Sequence, residues 1–159
     1  MKTLNKICQV LAIVFALASL VLFFTNFATI VTGGVEEKVV GAQLAFGSKY
    51  TTDADVTYDL AKSSQILFCF IITALSALMT IFSFRKKGLR YAAPGFGIVA
   101  TIYMLVIRLA GPFKFVDVRP LSYSNITSMT YSIFVLLAVI ALALFTICGI
   151  AYLLIDDYL

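Results

Sequence analysis

Histidine and tryptophan are absent from the 159 residues, cysteine and proline occur three times each, and only 13% of the chain is charged. Each shortage removes a class of chemistry. Without histidine there is no imidazole for acid–base work near neutral pH, and the usual zinc ligand sets lose a member. Cys8, Cys69 and Cys148 show no C-x-x-C spacing, so thiol–disulfide relays have no carrier. Neither a P-loop nor a dinucleotide-binding glycine fingerprint occurs. The chain is expected to be a non-enzyme and to hold no cofactor.

What is abundant is apolar: 62% of the residues are hydrophobic, gathered into long runs. A membrane-spanning helix needs about 20 such residues. Four segments qualify, Ile7–Val31, Gln65–Phe84, Tyr91–Gly111 and Met129–Ile155; none holds an acid, and Arg108 is their one base. The fold class predicted is therefore an all-α membrane protein, a single integral domain over 1–159. Its four-transmembrane-helix bundle leaves two extracellular segments, 32–64 and 112–128. Lys2 and Lys6 ahead of the first run also resemble the start of a signal peptide, but the apolar core of such peptides is about 7–15 residues and this run is longer. An uncleaved first helix is expected.

Short basic flanks mark the cytoplasmic side of membrane proteins. Arg85, Lys86, Lys87 and Arg90 crowd the loop RKKGLR, and Lys2 and Lys6 precede the first helix. Both termini are then cytoplasmic and the protein multi-pass in the plasma membrane. The formal net charge of +4 suits anionic headgroups, so the lipid bilayer is the expected partner of the basic flank, with no nucleic acid.

Within the spans, Arg108 lies three residues from Gly111, near enough to the outer surface to serve as an interfacial anchor by snorkelling. Asn26, in the outer part of the first predicted helix, offers interhelical hydrogen bonding. Ala93, Gly97 and Thr101 recur every fourth residue and form a helix-packing interface, with Ala12 and Ala16 as a second small-residue pair. Pro94 reads as a first-turn proline marking a helix start. Tyr91, Tyr131, Tyr152 and Tyr158 read as an interfacial aromatic belt. Asp53, Asp55 and Asp59 lack the glycine and terminal glutamate of a calcium loop, and read as a solvated loop with Asp53 or Ser63 capping turns. Asn125-Ile126-Thr127 matches a glycosylation triplet.

The outside segments carry strand-like sequence. In VVGAQLAFG, alternation puts Val40, Ala42, Leu44 and Phe46 on one face, an extracellular docking edge or cap over the helix ends. FKFVDVR, Phe113–Arg119, is rich in aromatic and β-branched residues and ends at Pro120, so the two runs are expected to pair as a small extracellular β element. A short surface helix competes for residues 53–64.

Four helices with the larger, strand-bearing outside segment first resemble the claudin-type layout, although that family's outside tryptophan and cysteine signature has no counterpart here. Gly41–Gly47, GAQLAFG, is similar to a stretch after the first helix in small, uncharacterised four-helix membrane proteins of low-GC Gram-positive bacteria, a resemblance that implies the topology and no activity. Three readings of function follow. The first is an accessory or assembly subunit that meets another membrane protein or its own copies. The second is a small oligomeric transporter or channel for an apolar or weakly polar solute, lined by Ser76, Thr80, Thr101, Tyr103 and Thr146. The third is a lipid-modifying enzyme using Arg108.

Overall fold

The computed structural model describes every residue except 1, 33, 52–56, 84–86, 115–117, 121–125 and 159. In chain order the elements are α1 (Lys2–Leu22), β1 (Asn26–Thr32), β2 (Val35–Val40), α2 (Gly41–Phe46), β3 (Ser48–Thr51), β4 (Thr57–Leu60), α3 (Ser64–Phe82) and α4 (Lys87–Ala110). A 3-10 turn (Pro112–Lys114), β5 (Val118–Pro120), β6 (Ile126–Tyr131) and α5 (Ile133–Tyr158) complete the chain.

Four helices are long and apolar enough to cross a membrane: Thr3–Leu22, Ser64–Phe82, Gly88–Ala110 and Ile133–Ile155. They close into a ring, α1 touching α3 and α5, and α4 touching the same two. Leu4, Val14 and Val21 on α1, Leu78 on α3, Ile102 on α4 and Ile147 on α5 are all more than half exposed. Apolar side chains turned outward on every side of a bundle need hydrocarbon as their solvent, so the chain is a multi-pass membrane protein. The start of α1, the end of α3, the start of α4 and the end of α5 share one end of the bundle, the turn end, and both sheets belong to the other, the sheet end.

The first helix departs from expectation at its far end. The apolar run continues to Val31, but the helix stops at Leu22. Its 21 residues at about 1.5 Å each already span a hydrocarbon core of about 30 Å. Phe23, Phe24 and Thr25 close the last turn with bonds to Leu20, Val21 and Leu22 carbonyls, and Thr25 Oγ1 adds a 2.7 Å bond to Leu22 O. Asn26 therefore begins a strand, not the outer part of a helix, and β-branched Thr29, Ile30, Val31 and Thr32 suit that pleat. At the other boundaries, α4 begins four residues before Tyr91, so Lys87 and Arg90 are helical. The segment 129–132 is the end of β6 and a cap; Ser132 Oγ accepts from Phe134 N at 3.0 Å as α5 starts.

Two three-stranded antiparallel sheets form, ordered β2-β1-β6 and β3-β4-β5. The expected pairing of VVGAQLAFG with FKFVDVR is not what forms. β2 pairs with β1, with Val39 opposite Ala28, whereas β5 pairs with β4, with Val118 opposite Leu60. Residues 57–60 are strand rather than surface helix. In the first sheet Ala28, Ile30, Met129 and Tyr131 turn one face onto Ile66, Met104, Ile107 and Val135 at the helix ends, making one core of cap and bundle.

The stretch after Val40 is also helical rather than extended. Gly41, Leu44 and Ala45 are its buried residues, spaced for a helix. A Cβ on Gly41 would stand 2.7 Å from Phe23 O and 2.8 Å from the Phe27 ring, so only glycine allows the short helix to start this close to the end of α1. Val40, Ala42, Leu44 and Phe46 consequently share no face: Leu44 is fully buried, Val40 and Ala42 are half-buried and Phe46 is 58% exposed. Val40 N–H donates to Gln43 Oε1 at 3.0 Å, and Ser63 N–H to Leu44 O at 3.0 Å, tying the short helix to the start of α3.

Candidate functional site

The small-residue stripe of α4 is used within this chain. Ala93 is buried, and a Cβ on Gly97 would lie 2.5 Å from the Phe145 ring and 2.8 Å from Thr146 Oγ1. Thr101 Oγ1 donates to Gly97 O at 2.7 Å and sits 3.5 Å from Thr146 Oγ1. Ala12 and Ala16 pack with Ala77 of α3 and Phe145. Pro94 is the eighth residue of α4 rather than a first-turn residue, and its ring lies against Gly149 of α5. It has no N–H to give to the carbonyl of Arg90.

A ladder of hydroxyls descends the inward face of α3. Thr73, Ser76, Thr80 and Ser83 are all buried. Their Oγ atoms donate to the carbonyls of Cys69, Ile72, Ser76 and Thr80 at 2.8, 2.9, 2.7 and 2.6 Å. Back-bonding of this kind satisfies a hydroxyl where no water competes. The ladder ends at the turn end in a cavity lined by Gln9 and Ala12 of α1, Thr80 and Ser83 of α3, Arg90, Ala93 and Pro94 of α4, and Phe145, Gly149 and Tyr152 of α5. The Arg90 guanidinium carbon stands 5.6 Å from the Tyr152 ring centroid, a cation–π distance. Gln9 is 6% exposed and its Nε2 meets no acceptor in the protein.

The proposed transport lining is not one surface. Thr101 and Thr146 face each other, and Ser76 and Thr80 belong to the α3 ladder. Tyr103 instead packs edge-on against Phe68 at 5.2 Å, near the outside of the bundle. Thr146 Oγ1 donates to Leu142 O at 2.9 Å.

At the sheet end, Phe23 stacks on Phe27 at 5.4 Å and meets Phe70 edge-on at 5.3 Å; Phe24 and Phe46 meet Phe70 at 5.9 and 5.7 Å, and Phe27 meets Tyr131 at 6.0 Å. Arg108, half-buried in the last turn of α4, throws its charge on the Tyr131 phenol. Burial raises that phenol well above the tyrosine range and the Arg108 charge partly offsets it; Tyr131 Oη meets no partner in the protein. Tyr131 and Tyr152 are thus interior residues rather than parts of an interfacial belt, whereas Tyr91 is 57% exposed. Ser63 caps α3, its Oγ accepting from Ile66 N at 3.4 Å. Arg85, Lys86, Asp53, Asp55 and Asn125 lie outside the described residues. Asp59 stands opposite Lys49 and Arg119 in the sheet register. Among the described residues no three His, Cys, Asp or Glu side chains gather as a metal site, and the three cysteines are free.

Gln9 and Ser83 are polar residues of the turn-end cavity that the sequence did not single out, and Tyr152 was expected at an interface rather than here. Their signal was present: Cys69, Thr73, Ser76, Thr80 and Ser83 follow alternating steps of four and three, and Gln9 precedes Ala12 and Ala16 by three and seven. No family model, curated protein or solved structure matches the chain.

Proposed function

We propose that this chain is a non-enzymatic accessory or assembly subunit of a bacterial plasma membrane. Both termini are cytoplasmic and the sheets extracellular, and the chain works by meeting another membrane protein or its own copies. The observation that carries this reading is the state of the interior. The buried hydroxyls of α3 and Thr146 are spent on their own helix carbonyls, and the α4 stripe is filled by Phe145 and Thr146. Among the described residues no three His, Cys, Asp or Glu side chains gather inside, and the reading gives the work to the surface. Both sheets are only three strands wide, and their edge strands offer backbone hydrogen bonds to an added strand. Glu36 and Lys38 on β2 are exposed and supply charge for choosing a partner.

Isolation in mild detergent with crosslinking and mass spectrometry tests this: a reproducible partner or homo-oligomer is expected, and a lone monomer in every preparation would overturn it. The orientation has its own test. In a cysteine-free background, Lys49→Cys, at an exposed position of β3, should react with an impermeant maleimide on intact cells and Gly88→Cys should not. The α3 hydroxyl oxygens keep free lone pairs after their protons are spent, and these favour a second reading, a small oligomeric transporter or channel for an apolar or weakly polar solute. Flux into reconstituted vesicles above that of protein-free vesicles would establish it.

A further inference from the structure

The cavity at the turn end has walls whose chemistry selects its ligand. It leaves about 10 Å³ for the centre of a water-sized molecule, room for a single heavy atom. From α1 comes the Gln9 primary amide, buried, with protons on Nε2 that no protein acceptor takes. From α3 come two hydroxyl oxygens whose protons are already committed: Thr80 Oγ1 donates to Ser76 O at 2.7 Å and Ser83 Oγ to Thr80 O at 2.6 Å. What those oxygens have left for the cavity is lone pairs.

A ligand here must accept from an amide, donate to hydroxyl oxygens, and be one heavy atom in size. A halide could accept from the amide beside Arg90, whose guanidinium is held over the Tyr152 ring, but it has no proton for the lone pairs of Thr80 and Ser83, and a metal cation cannot accept from the amide. A lipid phosphate is several times too large. Water meets all three conditions, and buried waters typically make two to four bonds of this kind. We propose that the cavity is the binding site of one structural water, accepting from Gln9 Nε2 and donating to the hydroxyl oxygens of Thr80 and Ser83. The water links α1 to α3 seven residues into α1, about 10 Å from its first residue. It makes the turn end a hydrogen-bonded joint between helices that otherwise meet through alanines.

Solution NMR of the full chain in detergent micelles, with glutamine side chains labelled, reads the site directly. A cross-peak from a long-lived water to the Gln9 amide is expected in the wild type, and its absence from a well-dispersed spectrum would overturn the proposal. Thr80→Val with Ser83→Ala should abolish that cross-peak while leaving the rest of the spectrum in place; its survival would also overturn the assignment. The sign of a stability change gives an independent reading. If water bridges the amide, Gln9→Leu lowers the unfolding midpoint. If the amide is buried without a partner, the same change raises it, because an unsatisfied polar group has been removed.

Discussion

The two ends of the bundle solve opposite problems. At the sheet end the chain leaves the helices through residues 23–63 and 111–132, and every residue of backbone that leaves, Pro112 and Pro120 aside, brings a donor and an acceptor to be satisfied. Six strands take up that demand, and they are held down by Phe23, Phe27, Leu44, Leu60 and Met129, each 4% exposed or less. At the turn end the crossing from α3 to α4 is short, so no cap is needed. There the helices meet through small residues and a narrow cavity that a few polar side chains reach instead. A long excursion needs an apolar core of its own to hold it, while a short crossing lets polar side chains such as Gln9 and Arg90 gather at the helix ends.

Substitutions sharpen the contrast, beginning with the cap. Leu44→Ala should cost about 2–5 kcal/mol, whereas Phe46→Ala, at a side chain 58% exposed, should stay within about 0.5 kcal/mol. Denaturant unfolding in micelles followed by tyrosine fluorescence measures both. Equal losses would mean that the two side chains share a buried face, as in a strand. Next, Gly97→Val should cost about 1–3 kcal/mol by overpacking against Phe145. Gly95→Val, two residues along α4 where a Cβ meets nothing within 4 Å, should leave the midpoint close to that of the wild type. Ser63→Ala should cost about 1 kcal/mol through the lost cap of α3.

The smallest effect at neutral pH belongs to Tyr131→Phe, which removes an unpaired hydroxyl. Its signature lies in the pH profile. The folded phenol titrates above its unfolded value of about 10, so the stability tied to its protonated form is fully present below pH 10. That stability is lost as pH rises toward the higher folded value. The wild type should therefore weaken in alkali more than Tyr131→Phe does. Parallel midpoint-against-pH curves above pH 10 would show that the phenol is not shielded as the fold implies.

Apolar run length was enough to find all four helices, because crossing hydrocarbon is a demand that each segment meets from its own composition. The same measure failed at Asn26–Thr32, since composition does not distinguish residues bound for lipid from residues bound for a protein core. VVGAQLAFG failed for a related reason: alternation fits a strand and the 41, 44, 45 spacing fits a helix, and nothing local decides between them. Tertiary contacts decide it: the 41, 44, 45 face is buried, and Ala42 N–H donates to Phe23 O at 2.9 Å where Gly41 sits too close to the Phe27 ring for any side chain. Ala93, Gly97 and Thr101 were recognisable as a packing stripe, but that α5 of the same chain fills it depended on the closure of the ring. Likewise Gln9, Thr80, Ser83, Arg90 and Tyr152 lie far apart along the chain. Only the antiparallel crossing of four helices brings them round one cavity. The sequence by itself determined the number of crossings, their order and the side on which the basic flanks gather, because hydrophobicity and charge act on each segment separately. Tertiary structure alone decided strand partners, the occupant of the stripe and the polar cavity, because those depend on which surfaces meet.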